Sequence, residues 1–555
     1  MQSRVLGRWA VGATALSLAL AACGGSSGGS KGGSGGSTAA ATTAAKDGGT
    51  VSISLSDPQF LTPGNTQDTN GAEVLDALFT GLIKFDAQNK PVLTDLAQSI
   101  DSKDGLTWDV KIKSGWTFSN GEPVTADSFI NAWNYAAYGP NGQQNSYFFG
   151  PGDLDIKGFD DLQAAKEGET PKAKEMSGLK KVSDTEFTVT LANATNIFKQ
   201  IIGYSAFYPL PKAFFTDPKS FENAPIGNGP FKMKGTWVRN QFIDVVRNDS
   251  YAGAQKPHVQ EIDYKMYKSA ETSYNDLTAG ALDIVTQIPS TDIARAKQDL
   301  GDRYQESPSS NFGFLGFPTF DPNYKDVNVR MAISMAIDRA ALSKTIFSGT
   351  RVPADDFIAP IIPGYRKGAC GPACTYDPAK AKQLWDAATT KPSTITLYYN
   401  ADGGHKPWID ASCNSIQQAL GVSCVGKAAP DFATLQNDLN KAKKQHVSFG
   451  AFRLGWSMDY PSMQDYLGPI FQTNASSNYT GYSNKAFDDL VNKGLTEATE
   501  DAAEKDWQQA DDILAKDVPV APVYFGSNQF GSSDKVANVH VDPFFRVDKF
   551  ALSTK

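Results

Sequence analysis

Arg453, Trp456 and Asp459 stand three residues apart in the stretch 451–468, AFRLGWSMDYPSMQDYLG, with Tyr460 and Pro461 directly after. A carboxylate takes an ammonium, an indole offers a flat apolar face, and a guanidinium forks onto a carboxylate. On a loop punctuated by Gly and Pro, the three are a set that could grip a small zwitterion. The same residues also fit a surface loop with one buried Trp and a solvated Arg–Asp pair, because exposed ion pairs contribute little. The choice depends on the elements that position the stretch.

The chain has 555 residues, enough for roughly three to four domain-sized units of about 150 residues each. With 41% hydrophobic and 20% charged residues it has the composition of a globular protein with ample core. The net charge is −8, and loss of Arg4 and Arg8 with a leader makes it more negative still. An acidic chain without a basic block is a poor partner for nucleic acid or for an anionic membrane surface.

Arg4 and Arg8 form a positive flank to the apolar run 10–22, which is too short to span a bilayer and reads as a signal peptide over 1–22. The run ends in Leu20-Ala21-Ala22-Cys23, the pattern of a bacterial lipobox, in which the Cys is acylated and becomes the mature N-terminus. Residues 23–49 then form a lipidated Gly/Ser-rich tether with nothing to pack. The expected location is the extracytoplasmic face of the cell membrane, held by lipid. No other segment has the length of apolar sequence that a membrane helix needs.

The remaining cysteines suit an exported protein. Cys370 and Cys374 flank Gly-Pro-Ala, and Cys413 and Cys424 flank a helical run. Four cysteines allow three pairings, of which the sequential one, 370–374 with 413–424, is preferred here. The second bridge would contribute about 3 kcal/mol on a chain-entropy account. A metal site built from these thiols is the rival, but they lack paired ligands at zinc spacing and the chain has only 4 His.

In chain order, residues 51–55 alternate as a strand, and 73–82 carry apolar residues at helical spacing. A strand around Trp108, Val110 and Ile112 leads into a turn over 115–123. Thr125 then caps a helix through Phe129, Ile130 and Trp133. Segment 139–152 reads as irregular and 160–178 as an exposed charged insertion. Strands are expected at 185–191, 231–233, 242–246 and 262–267. A helix from Glu271 to Gly280 and a strand at 282–285 complete a strand–helix–strand unit, which argues for an α/β lobe. Residues 312–317 read as extended and 327–347 as one amphipathic helix stopped by Gly349. A strand at 395–399, a helix at 409–420 and strands near 520–525 and 536–541 follow. There is no internal repeat, phosphate-binding glycine loop or catalytic signature.

Five segments in order resemble the family 5 extracellular solute-binding proteins, the oligopeptide- and dipeptide-binding lipoproteins that feed ABC importers. They are WTFSNGEPVTAD (116–127), PIGNGPF (225–231), VRNDSY (246–251), LTAGALD (277–283) and NVRMAISMAIDR (328–339). The resemblance runs from about Gly48 to the end. It implies an α/β, two-lobed periplasmic-binding-protein-like fold of type II in its large, cluster C form. Lobe I would comprise 50–310 and the returning segment 524–555, with an extra subdomain over about 76–223, and lobe II 311–523. The chain would cross twice, near Ser310 and near Tyr524, and the crossings would form a hinge.

The resemblance also assigns roles. Asp459, after Gly455-Trp456, falls where peptide binders take the peptide ammonium. Arg453 matches an Arg just upstream, Asn400 and His405 match polar positions of the oligopeptide branch, and Lys444 stands where that branch has an Arg that meets the peptide carboxylate. Gln67 and Thr69 lie in an early loop whose backbone pairs with the peptide as a strand does. Residues 311–317 lack the Glu that the branch offers there. The implied activity is peptide capture and delivery to ABC permease subunits by a monomer that is not an enzyme and needs no cofactor or metal. Another solute (a sugar, a metal chelate or a signalling peptide) is the alternative within the fold, and a secreted hydrolase with dispersed carboxylates the alternative outside it.

Overall fold

The computed structural model describes residues 46–555 apart from 165, 167 and 168. The leader, the acylation candidate Cys23 and the tether up to residue 45 lie outside the described residues. Within them, no helix is long and apolar enough to cross a membrane.

An eleven-stranded mixed sheet runs through the molecule. Strand Thr50–Leu55 is buried at five of its six positions. It sits inside the sheet, parallel to Glu261–Met266 on one side and to Ile284–Val285 on the other, so both of its edges are paired, and its continuous burial covers both faces. The connection between those neighbours is the expected helix, Ala270–Thr278, whose N-cap Ser269 accepts from the Thr272 N–H.

Two strands of thirteen residues, Tyr304–Gly316 and Val520–Ser532, form the middle of the sheet and pair antiparallel. Their ladder has two stretches. Tyr304 to Pro308 face Gly531 to Ser527, and Phe312 to Gly316 face Phe525 to Val520. Between them the register shifts at Ser309, Ser310 and Asn311, opposite Gly526. A Cβ at Gly526 would come within 2.5 Å of Ser309 Oγ, so the two strands cross without room for a side chain. Strands at 395–399 and 312–317 in the sequence reading are thus parts of Thr394–Asn400 and of Tyr304–Gly316. The polar residues Ser307, Ser309, Ser310 and Asn311 hide the first half of the long strand from a hydrophobicity pattern.

A separate four-stranded antiparallel sheet, Ala97–Ser102, Thr107–Ile112, Glu186–Thr190 and Leu179–Ser183, packs beneath helix Ala126–Ala137. Phe187 stacks on Phe129 and meets Trp133 edge-on. The Thr125 N–H donates to Ser128 Oγ at the start of this helix, closing one half of a capping box.

Two helices differ from their expected bounds. The helix expected over 73–82 is Thr69–Leu78, because Asp68 caps it by accepting from the Gly71 N–H. It stops at Leu78, whose carbonyl accepts from the Gly229 N–H at 2.7 Å, while Asn228 takes the Thr80 N–H. The helix expected over 327–347 ends at Met335, and the chain restarts as Arg339–Ala341 and a π-helical turn, Leu342–Ile346. Arg339 is only 4% exposed and donates to the carbonyls of Pro522, Ser334 and Ala373, which draws the backbone out of its helical path. Asp338 caps the new start through the Ala341 N–H.

Disulfides join Cys370 to Cys374 and Cys413 to Cys424, with Cα atoms 5.8 and 5.0 Å apart. The second ties the helix Lys406–Leu420 to strand Ser423–Ala429 across the turn at Gly421.

Candidate functional site

The stretch opened on above is not a loop throughout. Ala451–Trp456 is a strand paired antiparallel with the second half of Tyr304–Gly316, and Gln464–Phe471 is a helix; only 457–463 between them is irregular. Residues three apart on a strand lie on opposite faces. Trp456 therefore shares a face with Leu454 and Phe452, and Arg453 points through the other. The three side chains make two separate clusters.

On the first face, the irregular segment is held against the strand crossing. The Met458 N–H donates to Ser310 Oγ at 3.3 Å and the Tyr466 hydroxyl to the Ser310 carbonyl at 2.5 Å. Asp465, 1% exposed, accepts from the Trp456 indole N–H and from the Asp459 N–H, each at 3.1 Å. Trp456 thus spends its polar edge inward and keeps its ring for packing. Burial pushes the Asp465 carboxyl well above the usual carboxylate range, with the charge of Asp459 adding to it. Burial also raises Asp459 to about 6.

A third acid comes from a distant part of the chain. Asp153 follows the short helix Gln144–Phe149, which carries Tyr147. Burial first, and the charge of Asp459 second, raise Asp153 to about 7, against a lowering contact from the Tyr460 hydroxyl at 3.4 Å. Packing around their hydroxyls, then the charge of Asp459, hold the phenols of Tyr147 and Tyr204 up as well. Among the described residues, no Lys, Arg or His forms an ion pair with Asp153, Asp459 or Asp465. The cluster is acidic, bordered by tyrosines, and has no ionic partner among the described residues.

The second cluster lies on the other face. Arg453 Nη1 donates to Asn400 Oδ1 at 3.0 Å, and its guanidinium lies 5.9 Å from the Phe432 ring. Asn400 in turn donates to Asp402 at 2.6 Å. His405, 5% exposed, accepts the Trp408 indole N–H on Nδ1. Burial first, then the charges of Arg453 and Arg351, lower it to about 3, so it is neutral and its Nε2 carries the proton. The Arg351 guanidinium stands 4.3 Å from the rings of both Phe347 and Tyr524. A Cβ at Gly313 would sit 2.2 Å from Tyr524 Cζ, so the glycine seats that ring. Buried N–H groups on both arginines, Arg453 Nε and Arg351 Nη1, have no acceptor among the described residues. Two guanidinium groups with unmet donors around a neutral imidazole form a site for an anion.

The other expected residues lie elsewhere. Lys444 is exposed in the last turn of helix Phe432–Gln445, roughly 18 Å along the axis from Phe432, which touches Arg453. It borders a different cavity of about 410 Å³ with Phe320, His446 and Tyr482. Gln67 is exposed and donates to the Gln144 carbonyl, tying the early loop to the segment that bears Tyr147. Thr69 is the first residue of a helix and not a loop residue.

Sequence reasoning missed Asp465, Asp153, Arg351 and Tyr524. Asp465 stood inside the stretch already singled out, but nothing in its spacing marked it as the acceptor for Trp456. The other three arrive from remote strands and loops and carry no local signal.

Residues 92–478 match the family model described as "Bacterial extracellular solute-binding proteins, family 5 Middle". The oligopeptide-binding protein OppA of Bacillus subtilis (strain 168) is 28% identical over 512 residues, covering 89% of this chain and 91% of that protein. The dipeptide-binding protein DppE of the same organism is 25% identical over 503 residues, covering 85% and 86%. Among solved structures, the unliganded open form of MppA, a periplasmic murein tripeptide binding protein, aligns with a TM-score of 0.78 at 21% identity, covering 92% of this chain and 98% of that one. These relatives are two-lobed mixed α/β solute-binding proteins and not enzymes. With the family model matched over most of its length, the chain belongs to family 5 of the bacterial extracellular solute-binding proteins.

Proposed function

We propose that this protein captures peptides by their two charged ends and passes them to the permease of an ABC importer. The observation that carries the reading is the charge separation around strand Ala451–Trp456. Carboxylates with no ionic partner among the described residues gather beyond the end of the strand, suited to an ammonium, and guanidinium groups with unmet N–H donors gather at Arg453 and Arg351, suited to a carboxylate. The names of the relatives, oligopeptide- and dipeptide-binding proteins, support the same ligand class. In this reading lobe I is 50–310 with 524–555 and its subdomain over 76–223, lobe II is 311–523, and the register shift at Ser309–Asn311 opposite Gly526 is the hinge.

Calorimetry with a short peptide, its N-acetylated form and its C-terminal amide tests the assignment. In the wild type each modification should cost about 2–5 kcal/mol, because it strips one end of its charge while the partner stays buried. In Asp459→Ala the free peptide should bind about that much more weakly, and acetylation should then cost little more. Equal losses from acetylation in both proteins would place the ammonium elsewhere.

The working location in this reading is the outer face of the membrane, with Cys23 acylated and the protein a monomer. Cys23→Ala should release folded protein into the medium. A variant that still partitions with membranes in detergent extraction would refute the anchor.

A further inference from the structure

Two carboxylates in the acidic cluster are half-buried and have no ionic partner among the described residues. Asp465 is satisfied by two N–H groups. The Asp459 side chain has no hydrogen-bond donor among the described residues, although its own N–H is used. Asp153 shares the single Tyr460 hydroxyl with Gln464, which lies at 2.8 Å against 3.4 Å for Asp153. One proton cannot serve both fully, and the shorter contact takes it. Asp153 and Asp459 come from segments about three hundred residues apart in sequence, yet Asp153 meets the hydroxyl of Tyr460, the residue next to Asp459, at 3.4 Å and lies within reach of the Asp459 charge. Among the described residues, neither forms an ion pair with a cationic side chain.

A peptide α-ammonium brings one positive charge, whereas two half-buried acids without an ionic partner can take two. Tyr147 and Tyr204 stand within reach of the same Asp459 charge and supply ring surface along which an alkyl stem can lie while its cationic tip reaches an acid. Resting on the peptide reading above, we infer that Asp153 is a specificity-determining residue. It pairs with a second positive charge on the side chain of the ligand's first residue, so the preferred ligands are peptides that begin with Lys or Arg. Asp459 keeps the α-ammonium. The raised protonation range of Asp153 agrees with this, since a carboxyl that holds its proton without a cation nearby releases it when one arrives.

The test compares two peptides that differ only in the first side chain, lysine against norleucine, which keeps the stem and removes the charge. Both are titrated into the full chain, freed of co-purifying ligand by mild unfolding and refolding, as wild type and as Asp153→Asn. The wild type should prefer the lysine peptide by at least about tenfold. Asp153→Asn should bring that ratio close to one while leaving the norleucine peptide within about threefold of its wild-type affinity. If both peptides bind the wild type equally well, the peptide reading stands and the role of Asp153 is overturned. A preference for lysine that persists undiminished in Asp153→Asn also overturns it. If neither peptide binds and acetylation changes nothing, the peptide reading itself falls. The wild-type ratio decides the matter even if the variant folds poorly.

Discussion

Asp153 and Asp459 hold protons in the folded protein that the unfolded chain would release, and this has a sign that can be worked out. Unfolded Asp titrates near 3.9. Burial, and for Asp153 also the charge of Asp459, raise the folded values to about 7 and about 6. Between those limits the native state binds more protons than the unfolded state, so stability falls as pH rises. The contribution is fully present below about pH 4 and is lost by about pH 7. Without peptide, Asp153→Asn should therefore be more stable than the wild type at pH 8, by roughly 1–3 kcal/mol after allowance for solvent around these partly exposed groups. The gap should close by pH 4. Urea titrations of both proteins at the two pH values measure it, and a gap independent of pH would show that folding does not raise the Asp153 carboxyl. The same cluster marks what could be read at this scale. Asp459 and Arg453 could be nominated as candidates from residue type and spacing, whereas Asp153 and Arg351 could not, because their surroundings exist only once distant segments meet.

At the scale of elements, legibility followed how local the cause was. The strand–helix–strand unit from Glu261 to Val285 was readable because its alternation, its cap at Ser269 and its turn at Gly280 are all in the sequence. The end of helix Thr69–Leu78 was not, because its stop comes from the PIGNGPF segment about 150 residues away. Strand Ala451–Trp456 was mistaken for loop because Gly455 and the following Pro461 dominate its appearance, while its pairing with Tyr304–Gly316 is long-range. That error also hid the parity that separates Arg453 from Trp456. The PIGNGPF contact makes its own prediction. A Cβ on Gly227 would lie 1.8 Å from the Leu78 carbonyl oxygen, and one on Gly229 2.5 Å from the Leu78 carbonyl carbon and from the Phe79 nitrogen. Neither neighbour is a side chain that can swing away. Gly227→Ala should destabilise the protein by about 3 kcal/mol or more, as backbone displacement in a packed core does. Gly115→Ala, at a position with open space but φ of +89°, should cost about 1 kcal/mol from backbone strain alone. Equal losses at the two sites would remove the steric account.

At the scale of the whole molecule, the contacts that bridge the proposed lobes away from the hinge bear on closure. Asn196, in the proposed subdomain, donates from Nδ2 to the carbonyls of Gly494 and Glu497 at 2.6 and 3.1 Å, and its N–H reaches the Leu495 carbonyl at 2.9 Å. These carbonyls lie at the C-terminal end of helix Lys485–Thr496, where the Gly494 carbonyl also accepts the Glu497 N–H of the C-cap. Gln200 donates to Glu500, and Asn89 donates to the Ile361 carbonyl. All of these link residues 89–200 to residues 361–500, and on the proposed lobe boundaries they would break on opening. A ligand gripped from both sides binds the closed form, and any group that favours closure adds to its apparent affinity by the same free energy. Asn196→Ala removes two side-chain hydrogen bonds to carbonyls that water can then reach, which should cost the closed state about 1–2 kcal/mol. The melting temperature without ligand should change little, since the substitution removes no apolar packing. Peptide affinity should fall by roughly five- to thirty-fold, and the radius of gyration from X-ray scattering without peptide should rise as the open form gains population. Saturating peptide should restore the compact value in both proteins. If affinity and scattering are unchanged in Asn196→Ala while the melting temperature drops, the contact supports local folding of the subdomain and has no part in closure.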